Sequence, residues 1–285
     1  MRGRRSPRQS DRRARAYRAL ARYALPVALL ATSAAPARGQ TFDHSAFDAL
    51  LKAHVVKGMV DYDAFKGSTE FGQYLGSLAR FNPRTLPHDD QLAFWINAYN
   101  AYTIQLIIQH GERKSIRNIN KTHFLKANGP WREKLAVVGD TVYGLDQIEQ
   151  GIIRREFKEP RIHFALVCAA IGCPPLRSEA YSGAHLDEQL TDQGRIFLLD
   201  SPAKNRVDAA RRTVYVSQVF KFHDYEKDFG GSQEAVARFI AGWYPEGPEK
   251  QLLASGKWDR FDYTDYDWTL NSQENTRAMK GGATK

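Results

Sequence analysis

Cysteine is scarce in this chain: Cys168 and Cys173 are the only two among 285 residues. That excludes a cysteine-rich disulfide scaffold and a four-cysteine zinc site. A C-x4-C pair with one upstream histidine also lacks the second ligand pair of a mixed zinc centre, so neither a metal nor another cofactor is expected. Long apolar runs are missing too. The most apolar stretch, Tyr23 to Ala31, is interrupted by Pro26 and falls far short of the ~20 residues of a membrane-spanning helix. No stable membrane insertion is expected. Excess positive charge is nearly absent beyond the start of the chain, despite a formal net charge of +9. Residues 1–37 hold nine arginines and one acid, a net of +8, which leaves +1 for residues 38–285. A phosphate-binding surface needs clustered Lys and Arg on the folded domain, so nucleic acid is not an expected partner.

What is present begins with an export pattern. An arginine-rich start, the apolar stretch Tyr23 to Ala31 and the small-residue motif Ala35-Pro36-Ala37 follow the order of a secretory signal peptide. The expectation is a signal peptide over residues 1–37 and a single globular domain over 38–271. Residues 272–285, polar and glycine-containing, read as a disordered tail. The mature protein is expected in the periplasm or secreted, where disulfides persist.

Periodicity along the domain predicts α+β, a mostly helical domain packed on a small mixed or antiparallel sheet. Phe42, Phe47, Leu50 and Leu51 follow helical spacing, with Ser45 as the expected cap. Further helices are expected over Glu70 to Arg80, Asp89 to His110 with Gly111 as its stop, Leu145 to Phe157, Ser182 to Leu199 and Ser232 to Trp243. Lys134 to Tyr143 reads as a β-hairpin turning at Gly139-Asp140. Strands are expected over Arg161 to Cys168 and Arg212 to Ser217, the latter opposed by Phe261 to Trp268.

The chemistry concentrates in Arg161 to Arg177, RIHFALVCAAIGCPPLR, which contains both cysteines. Three states are open for them: a small disulfide loop, buried thiols acting as apolar groups, or a nucleophile. Cys168 is followed by two alanines that leave space for a ligand. Cys173 precedes Pro174-Pro175, which suits the first turn of a helix and a lowered thiol pKa. On a regular strand His163 and Cys168, five apart, face opposite ways, so His163 is expected to be a core or pocket histidine and not the base for Cys168. His123, His185 and His223 are the alternative bases. Asn97 and Asn100 lie one turn apart on an otherwise apolar helix. They are either a structural network or the orienting amide of a Cys-His-Asn site. Glu149 falls inside the apolar arc of Leu145, Ile148, Ile152 and Ile153, where a carboxylate must pair, neutralise or line a cavity; an arginine salt bridge is the expected outcome.

Five segments carry a resemblance to a known family: FWINAYNAYTI (94–104), YGLDQIEQGIIR (143–154), HFALVCAAIGCPPLR (163–177), VSQVFKFHDYEKDFG (216–230) and YTDYDWTLN (263–271). Together they resemble the domain-of-unknown-function family numbered 547, whose bacterial members are exported. The resemblance implies a single domain but no established activity or catalytic residues. Gln150 departs from it, since histidine follows the glutamate in bacterial relatives. Two functions are open. One is an exported binding or structural domain taking an unknown small molecule or peptide. The other is a thiol-dependent hydrolase or acyl-transferase, loosely papain- or transglutaminase-like, with Cys168 or Cys173 as nucleophile and His163, Asn97, Asn100 and Glu149 as candidate partners.

Overall fold

Along the helix His88–His110, every residue from Leu92 to Ile107 except Gln105 is buried. A helix that is apolar on all sides sits at the centre of a core, and the others pack around it. The computed structural model describes residues 41–120 and 129–282, with side chains to residue 277; residues 1–37, where a signal peptide is expected, and His123 lie outside the described residues. In chain order, α1 (Ser45–His54) is followed by the short pair β1 (Val55–Val56) and β2 (Met59–Val60), then α2 (Tyr62–Gly67) and α3 (Thr69–Arg80). The central helix is α4 (His88–His110), and Gly111 ends it with φ 59°, a left-handed stop that glycine adopts without strain. β3 (Ala136–Val138) and β4 (Thr141–Tyr143) form the expected hairpin, with Gly139 and Asp140 both at positive φ in its turn.

The chain then makes a wide π-helical turn over Gln147–Ile153 and runs into α5 (Arg154–Phe157) and α6 (Ile162–Ala165). α7 (Leu186–Leu198) follows a short 3-10 turn, where Ser182 donates its backbone N–H to Gln189 and does not act as a cap. β5 (Arg206–Asp208) pairs antiparallel with β6 (Thr213–Val216). α8 (Gln233–Ala241), capped by the Ser232 hydroxyl, and α9 (Pro248–Ser255) precede β7 (Arg260–Tyr263), which pairs parallel with β6. α10 (Gln273–Gly282) closes the described chain. The architecture is α+β, mostly helical with small sheets. No helix among the described residues is long and apolar enough to cross a membrane.

Four local expectations are corrected. Ser45 is not the cap of α1; it is the first helical residue, and the Asp43 carboxylate accepts its N–H at 2.8 Å. Arg161 to Cys168 is not a strand but one helical turn, α6, followed by extended chain. The strand expected over Phe261 to Trp268 stops at Tyr263. Beyond it the chain leaves the sheet of β5, β6 and β7. Residues 273–282 are helical instead of a disordered tail, started by the Ser272 hydroxyl, which accepts from Asn275 N–H at 3.1 Å. Gln273 ties that helix to the carbonyl of His54 at 3.0 Å.

Two apolar clusters make up the core. One surrounds α4; the other joins Phe164 and Phe197 to the sheet of β6 and to α8. The cysteine segment threads between them. Phe164 packs in the second cluster, Leu166 and Val167 in the first, and Tyr266 against both.

Candidate functional site

Asn100 explains why the cysteine segment needs no strand partner. Its amide donates to the carbonyl of Ala165 and accepts from Val167 N–H, both at 3.0 Å. The two backbone groups a neighbouring strand would satisfy are thus satisfied from α4. Asn97, one turn away, does the same for Tyr181, donating to its carbonyl at 2.8 Å and accepting its N–H at 2.9 Å. Both amides clamp backbone, and neither lines the cavity described below.

Past Cys168 the chain pairs with the segment after β7. Ile171 N–H donates to Thr269, Gly172 N–H to Asp267 (both 2.8 Å) and Asn271 N–H to Ala169 (3.2 Å). Gly172 is required there, because a Cβ would lie 2.9 Å from both the Tyr266 ring and Asp267 N. This pairing seats Tyr266 over the sulfurs. Cys168 and Cys173 are joined in a disulfide, with Cα atoms 6.3 Å apart. The Tyr266 hydroxyl lies 3.0 Å from Cys168 Sγ and 2.9 Å from Cys173 Sγ. Because disulfide sulfurs carry no proton, the hydroxyl is the donor. Cys168 N–H also donates to Cys173 Sγ at 3.0 Å. With the bridge closed, neither sulfur is available as a thiolate nucleophile.

The helical turn of α6 overturns the opposite-faces expectation, and His163 lines the same cavity as Cys168. Its Nε2 meets Asp228 Oδ2 at 2.7 Å, and its ring stacks on Tyr225 with centroids 3.9 Å apart. Its Nδ1 is buried without a hydrogen-bond partner among the described residues. Asp228 also receives Arg154 through Nε at 2.6 Å and a terminal nitrogen at 2.8 Å. Burial pushes the Asp228 pKa up, but the hydrogen bonds from His163 and Arg154 outweigh it and hold the pKa at about 2.

Glu149 sits in the π-helical turn and is 7% exposed. Its inward direction was legible from the apolar arc, but its partner is not an arginine. It accepts the Tyr225 hydroxyl, while Arg154 is held by Asp228 and lies over the Tyr225 ring at 4.9 Å. Among the described residues Glu149 forms no ion pair. Burial raises the pKa of Tyr99, Tyr225 and Tyr266, and the nearby Glu149 charge raises each further, so all three hydroxyls remain neutral. Gln150, where a histidine was expected, accepts from Arg154 and borders the same space.

These groups converge on one cavity of about 360 Å³. Glu149, His163 and the disulfide line it, with Trp131, Tyr225 and Trp268 among its aromatic walls. Trp268 packs on Tyr266 at 4.5 Å and on Trp131 at 6.1 Å between centroids. Of the other histidines, His223 reaches the cavity and His185 is exposed beside Glu188. Sequence reasoning missed Tyr225, Asp228, Tyr266 and the two tryptophans. All but Trp131 lie within the segments carrying the family resemblance, which was the available signal.

No curated protein and no solved structure matches the chain. Residues 83–198 match the model of the family described as "Protein of unknown function, DUF547". That span holds Glu149, His163 and both cysteines and ends before Tyr225, Asp228 and Tyr266. Through the segment from α4 to α7, this chain resembles that family.

Proposed function

We propose that this protein is an exported domain that binds a small organic cation, an ammonium or guanidinium compound, in the Glu149 cavity. The observation that carries the reading is a buried carboxylate without an ion-pair partner among the described residues, at the edge of an aromatic-walled space. A carboxylate so placed favours a cation, and ring faces add about 0.5–2 kcal/mol when the cation is desolvated. The volume, about 360 Å³, suits a small molecule better than a peptide. Export is supported by the basic, apolar and small-residue order of residues 1–37 and by the disulfide, which persists in oxidising compartments.

Titration calorimetry with ammonium and guanidinium compounds, each beside a neutral compound of the same shape, tests this. Cations are expected to bind at least about tenfold more tightly, and Glu149→Gln to remove that preference. Equal binding of the neutral compounds would sink the reading.

A further inference from the structure

The sulfur bridge forms part of the cavity wall, and its two ends differ. Cys168 is partly exposed, whereas Cys173 is 2% exposed. Cys173 Sγ alone receives a backbone donor, Cys168 N–H at 3.0 Å, while the Tyr266 hydroxyl lies within reach of both sulfurs, 2.9 Å from Cys173 and 3.0 Å from Cys168. A purely structural bridge needs no such donors, because a neutral disulfide sulfur is a weak acceptor. A thiolate is a strong one, and hydrogen bonds that stabilise it make its sulfur the better leaving group. Lys204 Nζ donates to the carbonyl of Cys173, placing an ammonium on the same residue. Burial lowers that lysine's pKa to about 8, which keeps it mostly protonated at neutral pH.

We propose that Cys168–Cys173 is an exchange site for low-molecular-weight thiols entering the cavity, with Cys168 the sulfur attacked and Cys173 the sulfur released. In the first step an incoming thiolate forms an S–S bond to Cys168 Sγ. The Cys168–Cys173 bond breaks, and its electron pair stays on Cys173 as a thiolate held by Tyr266 and Cys168 N–H. In the second step another thiolate attacks the mixed disulfide. It releases the oxidised small molecule and leaves Cys168 as a thiolate that takes a proton from water. Two thiols are oxidised and one protein disulfide is reduced, so the electrons balance without a further oxidant. The exchange needs no cation in the cavity and stands or falls separately from the binding reading.

The test is a redox titration of the folded mature protein in mixtures of reduced and oxidised glutathione. Samples are quenched in acid, alkylated and mapped by mass spectrometry. The expected result is reversible two-thiol reduction without denaturant. Cys173→Ser should trap a glutathione adduct on Cys168, and Cys168→Ser should leave Cys173 unmodified on the same timescale. Tyr266→Phe, with its fold checked by near-ultraviolet circular dichroism, is expected to slow reduction about tenfold, the loss of one charge-assisted hydrogen bond. Reduction only after unfolding, or preferential adduct formation on Cys173, would overturn the proposal. An unchanged rate in folded Tyr266→Phe would also count against it.

Discussion

His163 Nε2 and Asp228 Oδ2 lie 2.7 Å apart, and that contact joins the cysteine segment to the 3-10 helical stretch before α8. Asp228 draws Arg154 into the same cluster, so an arginine and one carboxylate hold His163 in the cavity wall. Asp228→Asn would remove the acceptor that holds both. The Asp228 carboxyl has a pKa of about 2 against an ordinary value of 3.8. A depressed carboxylate stabilises the fold above its unfolded pKa and loses that contribution as pH falls through the folded value. Because Asp228 is partly solvated, the full shift is discounted to about 1 kcal/mol at neutral pH. Urea titrations should show Asp228→Asn less stable by about that amount near pH 7, with the difference shrinking between about pH 4 and 2. A gap that stays constant down to pH 2 would rule out the charge as its source.

Asn100 makes a different kind of link, between an amide and two backbone groups. Asn100→Ala would leave Ala165 C=O and Val167 N–H buried without partners, at about 1–3 kcal/mol each. A loss of about 2–4 kcal/mol in unfolding free energy is expected, with relaxation offsetting part of the sum. Asn97→Ala should behave alike through Tyr181. If either variant kept wild-type stability and changed only ligand or thiol reactivity, these amides would be site groups and not clamps.

The helices were legible where their signals are local. α4 and its Gly111 stop, α3 and the Gly139-Asp140 hairpin follow from spacing and turn chemistry within a few residues. Glu149 was legible as an inward acid because its neighbours define the arc. Its acceptor role toward Tyr225 was not, since that tyrosine lies 76 residues further along the chain. The cysteine segment was misread for the same physical reason. A short apolar run suits a strand, but Asn100, 67 residues before Val167, supplies its hydrogen bonds from a helix. Tyr266 was not singled out by its spacing, and only the pairing of residues 169–172 with 267–271 carries its hydroxyl to the sulfurs.

That pairing makes Gly172 a sensitive position. Its backbone φ is ordinary, so space and not conformation is the constraint. Gly172→Ala would push a methyl group against the Tyr266 ring and the backbone of Asp267, each 2.9 Å from the new Cβ. The expected cost is about 1–3 kcal/mol of stability, as in other overpacked sites. Near-ultraviolet circular dichroism should also change, because Tyr266 and Trp268 stack. Unaltered spectra and melting would mean that the aromatic wall can shift freely and does not hold the sulfurs.

Acid sensitivity should have a second source, at a histidine that does not line the cavity. His44 is half-buried, packed against Phe42, Tyr74 and Phe94, and its Nδ1 lies 2.7 Å from the Tyr74 hydroxyl. Burial lowers its pKa to about 4, with Asp43 opposing only weakly. The sign follows from proton counting. Between about pH 6.5 and 4 the unfolded chain binds a proton at this histidine that the folded chain does not, so stability falls as pH drops through that window. The full shift corresponds to about 3 kcal/mol. Replacing the ring with an apolar one, His44→Phe, should flatten the stability profile between pH 6.5 and 4. The steeper loss below pH 4, to which Asp228 contributes, should remain. The two windows barely overlap, so a single series of urea midpoints at half-unit pH steps separates them. An unchanged slope in His44→Phe between pH 6.5 and 4 would mean that the imidazole gains its proton without unfolding the domain.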